Sequence, residues 1–116
     1  MTKLGLCEGR HEIAGVEGYV FPADFFADVG EMFDFPRMTR RIKEVFETYG
    51  LKPGADFSVE LYVTGFTPAL VEVLNFCTSN QIGVVLRHFN RDTGGYELQY
   101  TATNCWFPEL HDDGRI

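Results

Sequence analysis

Three consecutive stretches decide the fold: Phe57-Ser-Val-Glu-Leu-Tyr-Val63, Thr64-Gly-Phe-Thr-Pro68 and Ile82-Gly-Val-Val-Leu86. The first alternates and is rich in β-branched and aromatic residues, so it reads as a strand. The third is apolar on both faces, as a central strand of a parallel sheet is. Between them Leu70, Val73, Leu74 and Cys77 recur with the period of one helix face, and Val71 and Phe76 widen that stripe. Thr67 is expected as the N-cap and Pro68 as the first helical residue. Strand, helix and strand together form a β-α-β unit.

Working outward, Met38, Ile42, Val45, Phe46 and Tyr49 mark one face of an earlier helix, opened by Pro36 and ended by Gly50. Arg37, Arg40, Arg41 and Lys43 lie away from that face and read as its solvated side. Lys3–Cys7 is a short strand running into the loop Glu8-Gly9-Arg10-His11, and Gly18–Phe21 is a β-prone run stopped by Pro22. Ala23–Asp34 mixes phenylalanines with acids, and is either a short helix or an aromatic-anchored loop. On the other side, the turn residues Asn90–Gly95 followed by Tyr96–Thr101 predict a β-hairpin. The expectation is a single α/β domain over residues 1–116: a small Rossmann-like three-layer sandwich whose mostly parallel sheet ends in an antiparallel C-terminal hairpin.

Composition narrows the function. The chain has 116 residues, 45% of them apolar and 23% charged, which suits one folded domain. No apolar run is long enough to cross a membrane and no signal-peptide pattern opens the sequence, so a cytoplasmic protein with no membrane partner is expected. Seventeen acids against ten Lys and Arg leave a net charge of -7. That argues against a long nucleic acid, whose binding needs a basic face. Cys7, Cys77 and Cys105 have neither disulfide nor zinc-knuckle spacing, and no cofactor or metal is expected.

Ligands of open α/β sheets bind beyond the carboxyl ends of the strands. Three loops qualify: Glu8-Gly9-Arg10-His11 after the first strand, Thr64-Gly65-Phe66-Thr67 after the middle one, and Arg87-His88-Phe89-Asn90-Arg91 at the end of the third. Gly65 between threonines lets the backbone approach a ligand, and the following helix points free N–H groups at it, which suits phosphate. The same features equally describe a capped helix start and a tight turn. The loop is neither a Walker A loop nor a GxGxxG fingerprint. His11 and His88 are the candidate acid/base residues, although Arg87 and His88 alternate and only one of them can face the crevice.

The run Val63-Thr-Gly-Phe-Thr-Pro-Ala-Leu70, continuing through Val73-Leu-Asn-Phe-Cys77 to Gly83-Val-Val-Leu86, resembles the small CRISPR-associated proteins of Rossmann-like CARF type. Some of these act as ring nucleases on cyclic oligoadenylates. Cys7-Glu-Gly-Arg-His11 is similar to the basic loop after their first strand, whereas Val16–Phe35 has no counterpart. The resemblance implies a homodimer binding a cyclic oligonucleotide or other small phosphorylated ligand. Gly9, Arg10, Thr64, Gly65, Phe66, Thr67, Asn90 and Arg91 would then hold the ligand. Cleavage would be a metal-independent phosphodiester reaction in which His11 or His88 assists attack by a ribose 2′-hydroxyl. A further resemblance, to an uncharacterised family of phages and mobile elements, implies a setting in defence or counter-defence.

The competing reading is a protein partner: an acidic, non-catalytic interaction module or inhibitor of anti-defence type. It is suggested by Phe25, Phe26, Phe33 and Phe35 beside Asp24, Asp28 and Glu31, residues that would otherwise be core and solubilising charge.

Overall fold

A computed structural model of the chain describes residues 1–9, 12–54 and 57–104. Five strands and two helices follow in the order β1 (Thr2–Cys7), β2 (Gly18–Phe21), α1 (Phe35–Thr48), β3 (Phe57–Val63), α2 (Thr67–Ser79), β4 (Gly83–Asn90) and β5 (Gly95–Tyr100), with a 3₁₀ turn at Val29–Glu31. The sheet order is β2-β1-β3-β4-β5. β2, β1, β3 and β4 are parallel neighbours and β4 pairs antiparallel with β5. The expected α/β architecture, with a mostly parallel sheet and a C-terminal antiparallel hairpin, is therefore the one that forms.

The order of strands explains where the layers lie. The β2-α1-β3 and β3-α2-β4 crossovers advance in the same direction along the sheet, so right-handed connections place both helices on the same face. Consistent with this, the Phe46 and Phe76 rings of α1 and α2 meet edge to face at 5.3 Å. The β1-to-β2 connection runs the opposite way and crosses the other face as a loop. Its Ile13 is buried, and the Tyr19 ring from β2 lies against Gly5 of β1, where a Cβ would overlap it. The third layer is thus a loop and side chains, with no helix among the described residues there.

Alternation sorts the strands into two sets. Leu4, Leu6, Val59, Leu61, Val84 and Leu86 join Met38, Ile42, Val45, Phe46, Val73 and Cys77 in one buried cluster between sheet and helices. The intervening Gly5, Glu60, Tyr62, Val85, Arg87 and Phe89 face the other way. On that face Glu60, 5% exposed, pairs with Arg87 at 2.5 Å, and Tyr96 of β5 stacks against both Tyr62 and Phe89.

The helix ends follow capping chemistry. Asp34 accepts the Arg37 N–H at 3.1 Å with Pro36 in the first turn. At the other end Leu51 N–H bonds Phe46 C=O at 2.9 Å and Gly50 N–H bonds Glu47 C=O at 3.1 Å, with Gly50 at φ 66°. α2 ends in the same pattern, Ile82 to Cys77 and Gln81 to Thr78, but with Gln81 in the left-handed position at φ 52°. Its start corrects the expected cap. The helix begins at Thr67, and Phe66 is the N-cap with no side-chain hydrogen bond.

Ala23–Asp34 resolves as an aromatic-anchored segment. Phe21, Phe25 and Phe26 stack at 4.9–5.3 Å and Phe26 meets Phe66 at 5.2 Å, while Phe33 and Phe35 stay 62% and 42% exposed. Phenylalanines expected as one group thus divide between core and surface. Among the described residues no helix is long and apolar enough to cross a membrane.

Candidate functional site

The carboxyl ends of β1, β3 and β4 surround a cavity of about 390 Å³ on the face opposite the helices. Cys7 and Gly9 come from the end of β1, Glu12 and Ile13 from the β1–β2 connection, Thr64 from the end of β3, and Phe89 and Tyr96 from the two strands of the hairpin. The volume falls within the range of small-molecule sites. Its walls are chiefly apolar and aromatic, and Glu12 supplies a carboxylate.

Local structure fixes each wall. Thr64 places its hydroxyl between two backbone groups of Cys7, accepting the N–H at 3.3 Å and donating to the C=O at 2.8 Å. This ties the ends of the neighbouring parallel strands together. Gly65 follows at φ 80°, where an added Cβ would lie 3.2 Å from that of Cys7. Ile13 is held because its N–H donates to the Tyr19 hydroxyl at 3.0 Å. Tyr96 is pinned between Tyr62 and Phe89, at ring separations of 4.9 and 5.5 Å. Burial pushes the Cys7 thiol above its ordinary pKa, with partial compensation from a hydrogen bond with the Phe66 backbone. Cys7 is therefore a poor nucleophile.

Among the residues expected from sequence, Gly9 and Thr64 line the cavity. Gly65 packs against the cavity residue Cys7, Phe66 follows it in the β3–α2 loop, and Thr67 is the first residue of α2. The ring of Phe66 packs on Phe26 and Phe33 at 5.2 and 5.5 Å. His88 lies on the helix-side register of β4 and bonds Gln99 at 2.7 Å through Nε2. Asn90 bonds Glu97 at 3.3 Å and accepts the Asp92 N–H at 3.0 Å, and Arg91 is exposed in the hairpin turn. Arg10 and His11 lie outside the described residues, as does Cys105. Among the described residues no group of three or more His, Cys, Asp or Glu could hold a metal ion.

Glu12, Ile13 and Tyr96 lie outside the three loops expected from sequence, and Phe89 lies in the third of them without being among the expected ligand-binding residues. One available signal was the alternation of β4, which puts Phe89 on the side of Arg87 and away from His88. Comparison with family models, with curated proteins and with solved structures returns no match for the chain.

Proposed function

We propose that the protein binds a small ring-bearing ligand of the nucleotide class in the cavity at the carboxyl ends of β1, β3 and β4. The observation that carries this reading is the aromatic wall of Phe89 and Tyr96 opposite Ile13, a slot suited to a planar ring. Glu12 is a ready acceptor for ring or exocyclic N–H groups. The sequence sets Arg10 and His11 between the cavity residues Gly9 and Glu12, so a cation is available close in the chain to a phosphoryl group on the same ligand. The resemblance to cyclic-oligoadenylate proteins favours the same ligand class, and rests on the residues that suggested it. The reading stops at binding: His88, one of the two acid/base candidates, belongs to the opposite side of β4.

The test is calorimetric titration with adenosine, AMP, GMP, cyclic di-AMP and cyclic tetra-adenylate, with chromatography of each mixture for breakdown products. Saturable binding to at least one, weakened about tenfold or more by Tyr96→Ala, supports the proposal. No binding across the panel, or equal affinity in Tyr96→Ala, rejects it.

A further inference from the structure

The entry to α1 carries a feature that neither the cavity nor the core uses. Val29, Phe33 and Phe35 are 80%, 62% and 42% exposed within seven residues of chain. They are held rather than loose: the Phe33 ring rests on Phe66 at 5.5 Å and meets Phe35 at 6.4 Å, and carboxylates of Asp28 and Asp34 fix the backbone by accepting the N–H groups of Gly30 and Arg37. A fixed, exposed apolar patch marks an interaction site.

Charge says what kind of partner fits. Asp24, Asp28, Glu31 and Asp34 are interleaved with the phenylalanines along the segment, with no Lys or Arg between Ala23 and Pro36. Glu8 adds another carboxylate at the base of the segment by accepting the Ala23 N–H at 3.0 Å. The nearest cation, Arg37, is turned inward: it donates to Phe25 C=O at 2.7 Å, lies 3.7 Å over the Phe25 ring and pairs with Glu31 at 3.4 Å. A second copy of the chain is disfavoured, because a two-fold contact would set one acidic rim against the other. Anionic lipid and nucleic acid are repelled for the same reason.

We propose that Val29, Phe33 and Phe35 form a docking surface for a basic protein segment, in which an apolar side chain seats on the phenylalanines and flanking Lys or Arg meet the acidic rim. The hot spot is aromatic and the rim charges set approach rate and salt dependence.

The probe is a fluorescent peptide of alternating Leu and Lys pairs, measured by anisotropy at low and physiological salt beside its Glu-for-Lys counterpart and oligolysine. Binding to the Leu/Lys peptide should exceed that to oligolysine. It should weaken with salt, and fall about tenfold in Phe33→Ser and several-fold in Asp24→Lys/Asp28→Lys. Val29→Ser, at the most exposed of the three positions, gives the same reading should Phe33→Ser unfold. Phe89→Ala, in the cavity, should leave peptide binding unchanged, which separates this surface from the nucleotide proposal. The proposal fails if the Leu/Lys peptide does not bind, or if Phe33→Ser and Val29→Ser bind it as the parent does. It also fails if the Glu peptide binds equally, or if sedimentation finds a parent dimer that Phe33→Ser dissolves.

Discussion

The hydroxyl of Thr64 replaces a rung of the β-ladder, serving both the N–H and the C=O of Cys7 at the point where β1 and β3 part. Valine has the same shape and neither hydrogen bond. Thr64→Val should therefore lower stability by about 1–3 kcal/mol, while Thr64→Ser recovers most of it. Urea unfolding of both variants measures the difference. Equal stability of Val and Ser variants would show that the shape of Thr64, and not its hydroxyl, holds the strand ends.

Gly5 lies beneath Tyr19, and Tyr19 in turn holds Ile13 over the cavity. A methyl group at Gly5 must lift that ring. Gly5→Ala should cost about 1–3 kcal/mol by overpacking and loosen the Ile13 wall, so that any cavity ligand loses affinity as well. Thermal unfolding with and without ligand reads both effects.

Glu60 is buried at the centre of the sheet and its charge is met by Arg87. Burial, followed by the neighbouring Glu60 carboxylate, raises the Tyr62 pKa. Arg87→Met removes the cation and leaves the buried carboxylate beside the Tyr62 hydroxyl at 3.4 Å, which does not offset its charge, and should destabilise the fold by about 2–4 kcal/mol. In the double variant Glu60→Leu/Arg87→Met most of that loss should return, because no charge is then stranded. Chemical denaturation of the four members of this cycle measures it.

Burial pushes the Cys77 thiol from 9.0 up to about 12. The folded state thus keeps its proton where the unfolded chain has lost it. Stability from this group is present in full below pH 9 and is lost toward pH 12, at about 1.4 kcal/mol per pH unit. Cys77→Ala should flatten that alkaline decline in urea titrations. In a Cys105→Ser background, a thiol reagent at neutral pH should label Cys77 only after denaturation.

Gln81 occupies the left-handed position that Gly50 fills at the end of α1. Gln81→Gly relieves that backbone cost and should add about 0.5–1 kcal/mol of stability, read as a higher urea midpoint at constant slope.

Much of this was legible in the order of residues. The spacing of Met38, Ile42, Val45 and Phe46 located the buried face of α1, and the apolar run Ile82–Leu86 announced a strand covered on both sides, which begins at Gly83. The start of α2 was misplaced by one residue because threonine suits either side of a helix boundary, and nothing in the letter of Phe66 marks a cap held in place by its ring. The cavity was legible only in part. The rule of strand ends found Gly9 and Thr64, but Ile13 and Tyr96 reach the cavity through side-chain contacts that no periodicity marks: the Tyr19 hydroxyl holds one, and the rings of Tyr62 and Phe89 flank the other. Glu60 and Arg87 stand 27 positions apart, and no local pattern pairs them.

The sorting of β4 into alternate residues has an evolutionary reading. Val84 and Leu86 answer to the helices, whereas Val85, Arg87 and Phe89 answer to the opposite face. A single strand thus answers to two surroundings, interleaved letter by letter: the core beneath the helices, and the packing of the opposite face, where Val85 is buried and Arg87 meets Glu60. Ile13, Phe89 and Tyr96 line the cavity and lie outside the helix-side set, so, on the proposed binding role, variation at these three would change the ligand while Val84 and Leu86 keep the core.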